Sequence, residues 1–225
     1  MSNGIAGIIS GVQGFNKILI NDIINEICDS YEELQNVANI DFQNKVIEKL
    51  EQAWFAPEAV TIVSQIVERE KDILYKAYSL YCSLYKSVVI AAQKWSFAVG
   101  DSEFMPSRGE PIYSPIVDAS GMKSDNNGFR GIYSDEIESI STELVKINLE
   151  IKEILGNMEA FIAKDTYFYG ESQNENLEAL VKNMSLQIQN LTSENYNSII
   201  EGVKETKEKY TGTAQANAQR FSGGN

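Results

Sequence analysis

Prolines divide this chain into segments that can form long helices and one segment that cannot. Pro106, Pro111 and Pro115 lie close together, whereas Pro57 stands apart, shortly after Trp54. A proline inside a helix removes a backbone donor and clashes with the preceding turn, so the region with three prolines cannot be one continuous helix. Long helix-compatible segments flank that region. We therefore predict an all-α fold of two long antiparallel helical hairpins, four-helix bundle-like, joined by an irregular linker.

The segment before the linker has the apolar spacing of two helices. From Phe15 to Val99 there is no glycine, and large apolar residues recur at intervals of three and four. This spacing predicts one helix that ends at Trp54, with a weak point near Asp41, which could re-cap the helix after a kink. A second helix is predicted over 57–98, because a proline in the first turn of a helix loses no hydrogen bond.

The segment after the linker repeats this pattern. Ser134 or Asp135 is predicted to cap a third helix that ends near Lys164. A turn at 168–170 follows, and a fourth helix is predicted over about 173–209. The predicted organisation is a flexible apolar and glycine-rich arm at 1–14, helical hairpin 1 at 15–99, the irregular linker at 100–132, helical hairpin 2 at 133–211 and a flexible tail at 212–225.

The two predicted hairpins match each other at a nearly constant shift. Adding 115 pairs Tyr81 with Tyr196 and Trp95 with Tyr210. The apolar positions of any two amphipathic helices agree partly through periodicity alone, whereas aligned aromatic residues are harder to obtain by chance. The pattern favours an internal duplication, with a coincidence of two hairpins as the alternative. In either case each hairpin exposes an apolar stripe that the other can cover.

Composition limits the chemistry of this chain. It has no histidine, two cysteines and a formal net charge of −13. The absence of histidine removes the most common general base near neutral pH and the most common metal ligand, and two cysteines alone do not form a zinc site. An acidic surface repels phosphate backbones and anionic lipids. We expect no catalytic residues, cofactor or metal, no nucleic-acid partner and no membrane span. Glutamates such as Glu68 and Glu70 are interpreted as solvated helix faces.

Aromatic residues and cysteines are the remaining candidates for a site. We expect the aromatic residues to pack in the core and at interfaces, because stacking on bases would also require a basic groove. Cys28 and Cys82 are equally far along the chain from Phe55, so a disulfide across an ideal hairpin is geometrically possible; two buried free thiols are the alternative. The interface candidates are Tyr78, Tyr81, Tyr85, Trp95, Tyr196 and Tyr210.

A short motif recurs in the two turns between predicted helices. Trp54-Phe55-Ala56, followed by Pro57, and Phe168-Tyr169-Gly170 each place an aromatic residue two positions before a small residue. With a long helix on either side, this arrangement resembles the WXG100 (ESAT-6-like) family. The first copy has alanine where the family has glycine, and the second has phenylalanine where the family has tryptophan. Ala59 and Ser172 could supply the small residue that often follows the motif.

The resemblance implies a function. Members of this family are small acidic helical hairpins that pair as dimers, and many are exported by the type VII system without a Sec signal peptide. It implies that this chain is two such hairpins fused, a non-catalytic protein–protein interaction module that is a tandem type VII secretion substrate or export partner. Many members carry a Tyr-x-x-x-Asp/Glu export signal after the second helix, and this sequence has no match to that signal after Tyr210.

Partners and location follow from this interpretation. We expect protein partners, through self-association or a helical partner, and secretion without a Sec signal peptide. The alternative is a bacteriophage or prophage virion structural protein, a ring, neck or tail component assembled through its helices and located in the virion.

Overall fold

The long helices predicted from the apolar spacing are present in a computed structural model that describes residues 13–170 and 172–222. The all-α, bundle-like prediction is confirmed. In chain order the elements are β1 Gly14–Phe15, α1 Lys17–Gln35, two π-helical segments Asn36–Asp41 and Gln43–Ile47, α2 Glu48–Ala53, β2 Trp54–Phe55, α3 Pro57–Ala98, β3 Gly131–Ile132, α4 Ser134–Ile162, β4 Phe168–Tyr169 and α5 Gln173–Ser222.

The first long helix of hairpin 1 changes from α-helical to π-helical near Asp41, where the sequence predicted a weak point. Between α1 and α2 the backbone is π-helical, a rare form that often marks functional positions. Within it the Asn39 side chain is buried, and its Oδ1 accepts hydrogen bonds from the backbone N–H groups of Ile116 and Val117 in the linker. Asp41 does not re-cap the helix, contrary to our expectation, but forms an ion pair with Lys45 at 2.9 Å.

The four long helical arms form an antiparallel bundle. Each packs against two others, in the cyclic order α1, α3, α5 and α4. Isoleucine dominates the buried faces, and full burial of one such side chain contributes about 1.5–3 kcal/mol. The fully buried isoleucines of α1 and α4 are Ile20, Ile23, Ile24, Ile27, Ile137, Ile140, Ile147, Ile151 and Ile162.

The observed helix ends agree with some sequence predictions and differ from others. Helix α3 begins at Pro57 and ends at Ala98, as predicted. Neither Ser134 nor Asp135 caps α4, because both lie inside its first turn, and the cap residue Tyr133 makes no side-chain capping bond. Helix α5 continues to Ser222, so the tail predicted to be flexible from 212 is helical through that residue. The predicted N-terminal arm falls almost entirely on 1–12, outside the described residues.

Candidate functional site

The ends of the two hairpins are joined to each other by short strands. Strand β1, which precedes α1, pairs antiparallel with β4 in the turn between α4 and α5. Strand β3, which precedes α4, pairs antiparallel with β2 in the turn between α2 and α3. The turn of each hairpin therefore pairs with the entry of the other hairpin. The paired residues are Gly14 with Tyr169, Phe15 with Phe168, Trp54 with Ile132 and Phe55 with Gly131.

Backbone hydrogen bonds beside the strands also connect the turn of each hairpin to the entry of the other hairpin. The Asn16 N–H donates to the Tyr167 carbonyl at 2.9 Å, and the Tyr133 N–H donates to the Ala53 carbonyl at 2.8 Å. Asn16 and Tyr133 each follow an entry strand directly, whereas Ala53 and Tyr167 each precede a turn strand directly. The two ends of the bundle are thus related by a pseudo-two-fold operation that exchanges the hairpins.

The contact between α3 and α5, called here the α3–α5 seam, obeys the same pseudo-symmetry. At one end Trp95 Nε1 donates to Gln173 Oε1 at 3.0 Å. At the other end Tyr210 Oη donates to Glu58 Oε1 at 3.1 Å. Positions 95 and 210 differ by 115, as do positions 58 and 173. The aromatic pair that suggested a duplication therefore makes equivalent contacts at opposite ends of the seam.

The two turn motifs have different backbone requirements. Trp54 and Phe168 are equivalent and buried, each 4% exposed. Ala56 has φ of −159°, an extended backbone that any residue adopts, so alanine is acceptable in place of glycine. Gly170 has φ of +147°, a conformation that a side chain rarely permits. The backbone therefore requires glycine at the third motif position in the second turn, Gly170, but not in the first turn, where Ala56 stands.

A buried carboxyl group lies in the α3–α5 seam. Glu70 of α3 is fully buried; its Oε2 accepts from Asn195 Nδ2 at 2.8 Å and its Oε1 accepts from Tyr196 Oη at 2.9 Å. Burial raises the pKa of Glu70 to about 8, and the two hydrogen bonds oppose that rise because they favour the ionised form. The group therefore joins hairpin 1 to hairpin 2 through polar contacts inside the core.

Our sequence interpretation of Glu70 as part of a solvated face was wrong. The signal that could have found it is its spacing, because Glu70 lies four residues after Ile66 and three before Ile73, on the apolar stripe of α3. A charged residue on such a stripe is buried only when it has hydrogen-bond partners. Those partners come from α5, so the sequence alone does not identify them.

The linker lies on hairpin 1 as an ordered strap that we call the linker strap, residues 99–130. Its own side chains Phe104 and Val117 are buried. The hydroxyl of Tyr85 donates to the Arg108 carbonyl at 2.6 Å, and Arg108 also forms ion pairs with acidic residues of α1. Towards the other end of the bundle, the Gly121 N–H donates to Glu51 at 3.1 Å. The linker strap thus follows hairpin 1 from the end of α3 towards the start of α4.

The linker strap also covers both cysteines. Cys28 and Cys82 are buried free thiols, so the cross-hairpin disulfide is not formed. The Cys28 thiol donates to the Gly109 carbonyl at 3.4 Å, and the Cys82 thiol donates to the Pro111 carbonyl at 3.9 Å. Burial raises the pKa of both thiols, which leaves them protonated and weakly nucleophilic.

Three of the six predicted interface aromatics are buried. Tyr81, Tyr85 and Tyr196 are buried within the chain, so an external partner does not reach them in this conformation. Trp95 and Tyr210 are half-buried in the α3–α5 seam. Tyr78 is also half-buried, and it packs with other tyrosines near the linker strap. These neighbours of Tyr78 are Tyr31, Tyr75 and Tyr113.

The described residues offer neither a metal-binding cluster nor a membrane-spanning helix. Across 13–170 and 172–222, no cluster of three or more cysteine, aspartate and glutamate side chains has an arrangement that could hold a metal ion. In the same part of the chain, no helix combines the length and apolarity needed to cross a membrane.

The chain was compared with family models, with curated proteins and with solved structures, and none of these comparisons gave a match. The WXG100 resemblance therefore stays a prediction from the two turn motifs.

Proposed function

We propose that this chain is a non-catalytic helical module that binds other proteins, as a tandem WXG100-like substrate or partner of type VII secretion. The observation that supports this most is the reciprocal pairing of β1 with β4 and β2 with β3. Each WXG-like turn closes the entry of the opposite hairpin. Such an exchange is expected if two hairpins that once paired as separate chains were joined by the linker strap.

The last turns of α5 supply a surface for a partner. Beyond the contact of Tyr210 with Glu58, every side chain over 211–220 is exposed. At about 1.5 Å per residue this projecting part of the helix is about 15 Å long. Because the side chains over 211–220 are exposed, a partner that packs against them would bury apolar surface and add to the stability of the helix.

A virion structural component is the alternative function. Under that alternative, the linker would become ordered only against neighbouring copies. The contacts of the linker strap lie within its own chain, as in the Tyr85–Arg108 and Glu51–Gly121 hydrogen bonds, and this favours the secretion proposal.

The first test is to locate the native protein. A lysate and the medium of unlysed cells of the producing organism would be banded on a density gradient, and the chain followed by mass spectrometry. We expect soluble chain in the medium. A fixed copy number per banded particle would instead establish a virion component and overturn the secretion proposal.

A second test uses a variant that ends at Tyr210. Because 211–220 is exposed, we expect this truncated chain to keep its helical content and cooperative unfolding while its export is lost. Normal export of the truncated chain would contradict the proposed role of the projecting helix. As a control, alanine substitution of exposed Lys152 on α4 should leave export unchanged.

A further inference from the structure

The outer groove between α4 and α5, called here the hairpin 2 groove, exposes large apolar side chains. Val145 and Leu149 of α4 and Leu186 of α5 are each at least half exposed. Asn148 Oδ1 accepts from the Ser193 hydroxyl at 3.3 Å, so the two helices meet at that level. Val145 and Leu149 lie beside Asn148 on α4, and Leu186 lies two turns before Ser193 on the same face of α5. Exposed apolar residues that share one groove favour a surface that binds another segment.

Two repeat shifts relate this groove to hairpin 1. Asn16 and Tyr133 make equivalent backbone hydrogen bonds where the chain enters the two hairpins, and their positions differ by 117. This shift relates α1 to α4, whereas the shift of 115 relates α3 to α5. The hairpin 2 groove therefore has a defined counterpart on hairpin 1. The pairs of equivalent positions are Cys28 with Val145, Glu32 with Leu149 and Lys71 with Leu186.

The linker strap covers that counterpart. Cys28 and Glu32 contact the linker strap at Gly109 and Arg108. The carbonyl of Lys71 accepts from a tyrosine hydroxyl of the linker strap at 3.1 Å. The groove on hairpin 1 is thus filled by an irregular segment of the same chain, and the pseudo-symmetry predicts a similar cover on hairpin 2.

The pseudo-symmetry also identifies the segment. The linker strap runs along the first long helix of hairpin 1 into β3, and its hydrogen bonds to Asn39, Gln43 and Glu51 follow one another towards that strand. Since β1 is the equivalent of β3, the part of the chain that leads into β1 should run along α4 in the hairpin 2 groove. That part is 1–12, which precedes β1 at the end of hairpin 2 where β1 pairs with β4.

Residues 1–12 match the groove in length and in chemistry. Helix α4 runs about 20 Å from Leu149 to its end at Ile162 at roughly 1.5 Å per residue, and an extended segment as long as 1–12 reaches about 40 Å. The range 1–12 contains three isoleucines and no charged side chain. The two surfaces differ in the same sense, because Arg108 of the linker strap pairs with Glu32, whereas the equivalent position on hairpin 2 is the apolar Leu149.

We propose that residues 1–12 of the same chain occupy the hairpin 2 groove, with Ile8 beside Leu186 and Ile5 beside Leu149. Each hairpin is then covered by the residues that precede the entry strand paired with its own turn. A protein partner that binds hairpin 2 through this groove has to displace residues 1–12. The proposal concerns contacts within the chain and does not depend on the proposed role in secretion.

Thiol accessibility tests whether the groove is covered. In a parent with Cys28→Ala and Cys82→Ala, a Leu149→Cys variant has a single thiol. Its rate of reaction with a maleimide would be measured in the full chain and in a chain that lacks residues 2–12. We expect the rate to rise at least tenfold in the shortened chain, with unchanged helical content by circular dichroism. Equal rates in the two chains would overturn the proposal.

Two controls show that the protection is local and depends on apolar contacts. Lys204→Cys, at an exposed position further along α5, should react equally fast with and without residues 2–12. In the full chain, Ile5→Ser combined with Ile8→Ser should raise the Leu149→Cys rate as the deletion does. The polar pair Asn3→Ala and Ser10→Ala should not raise it. Equal rates for the two double variants would contradict the assigned contacts.

A pair of cysteines tests the position of the segment. In the same cysteine-free parent, Ile8→Cys and Leu186→Cys should form a disulfide within one chain on mild oxidation. The matched pair Ile8→Cys and Lys71→Cys, at the equivalent position on hairpin 1, should not form one. The absence of the first disulfide would place residues 1–12 elsewhere. A disulfide that joins two chains would make a second copy the occupant of the groove and would also overturn the proposal.

Discussion

Glu70 and Ser185 occupy equivalent positions in the two halves of the chain. Of these two residues, Glu70 forms hydrogen bonds to the other half and Ser185 does not. Both are fully buried in the α3–α5 seam. Glu70 accepts from Tyr196, whereas the Ser185 hydroxyl has no partner within the described residues, and Tyr81, the equivalent of Tyr196, shares a hydrogen bond with Ser30 of α1 instead. The halves thus share backbone pairing and aromatic positions, but at this pair of equivalent buried positions a hydrogen bond to the other hairpin is made by Glu70 and not by Ser185.

The outer surfaces of the halves differ in the same way. The linker strap covers hairpin 1 and buries Phe104 and Val117 against it. Within 13–170 and 172–222 no segment covers hairpin 2 in this way, and Val145, Leu149 and Leu186 are each at least half exposed on its helices. The same pseudo-symmetric arrangement of helices therefore carries two different surfaces. The linker strap covers the surface of hairpin 1, whereas apolar side chains on hairpin 2 are accessible to solvent or to a partner.

The largest expected effect comes from removing the buried carboxyl group. Glu70→Ala leaves Asn195 and Tyr196 with unpaired buried donors and creates a cavity, so we expect a loss of about 3–5 kcal/mol in the free energy of unfolding. The matched change Ser185→Ala removes a hydroxyl without a partner and should cost less than about 1 kcal/mol. Urea denaturation measures both. Equal losses would show that the two positions are not chemically different.

The pH dependence of stability should be nearly as large. The folded-state pKa of Glu70, about 8, exceeds its ordinary value of 4.5, so folding favours the protonated acid. Its contribution to stability is fully present below about pH 4.5 and is lost as the pH rises through about 8. At 1.36 kcal/mol per pKa unit, the loss is on the order of a few kcal/mol.

The variant Glu70→Gln isolates this titration. Glutamine stays neutral and can accept from Asn195 while donating to Tyr196, so its stability should change less between pH 5 and about 9. The free energy of unfolding of both proteins would be measured across that range. Parallel pH curves for Glu70→Gln and the parent would show that Glu70 does not titrate in the core.

The two turns should differ by a smaller amount. Gly170→Ala places a side chain at φ of +147° and should cost about 1–3 kcal/mol. Ala56→Gly, at the equivalent extended position, should cost only about 0.5–1 kcal/mol through the entropy of the unfolded chain. Thermal unfolding monitored by circular dichroism compares them, and a greater loss at Ala56 would contradict the difference between the turns.

The smallest effect is expected at the ends of the seam. Trp95→Phe removes the hydrogen bond to Gln173 along with some buried surface and should cost about 1–2 kcal/mol. Tyr210→Phe removes a more exposed hydrogen bond to Glu58 and should cost about 0.5–1 kcal/mol. Urea titrations would measure the free energy of unfolding of both variants. Equal losses would show that the two ends of the seam are energetically equivalent and would contradict the expected difference.

Some of this structure could be predicted from local pattern and some could not. Pro57 and the apolar spacing predicted the bounds of α3 because both act within a few residues of the chain. The aligned aromatics at 95 and 210 indicated the repeat, and the structure gives them equivalent contacts. The extension of α5 beyond 209 was missed because Gly212 and small polar residues are weak helix formers.

The remaining features depend on distant parts of the chain. The burial of Glu70 requires Asn195 and Tyr196, and the order of the linker strap requires acceptors and donors on α1 and α3. Sequence spacing identifies a face of a helix, but it does not identify what packs against that face.

The pairing of β1 with β4 and of β2 with β3 also determines when each end of the bundle can form during synthesis. When hairpin 1 has left the ribosome, β1 and β2 still have unpaired edges, because β3 follows at 131 and β4 only at 168. Neither end of the bundle closes until its partner strand has been made, and the end that holds β1 closes late, when most of the chain has been translated. The nascent chain therefore remains incompletely closed for most of its synthesis.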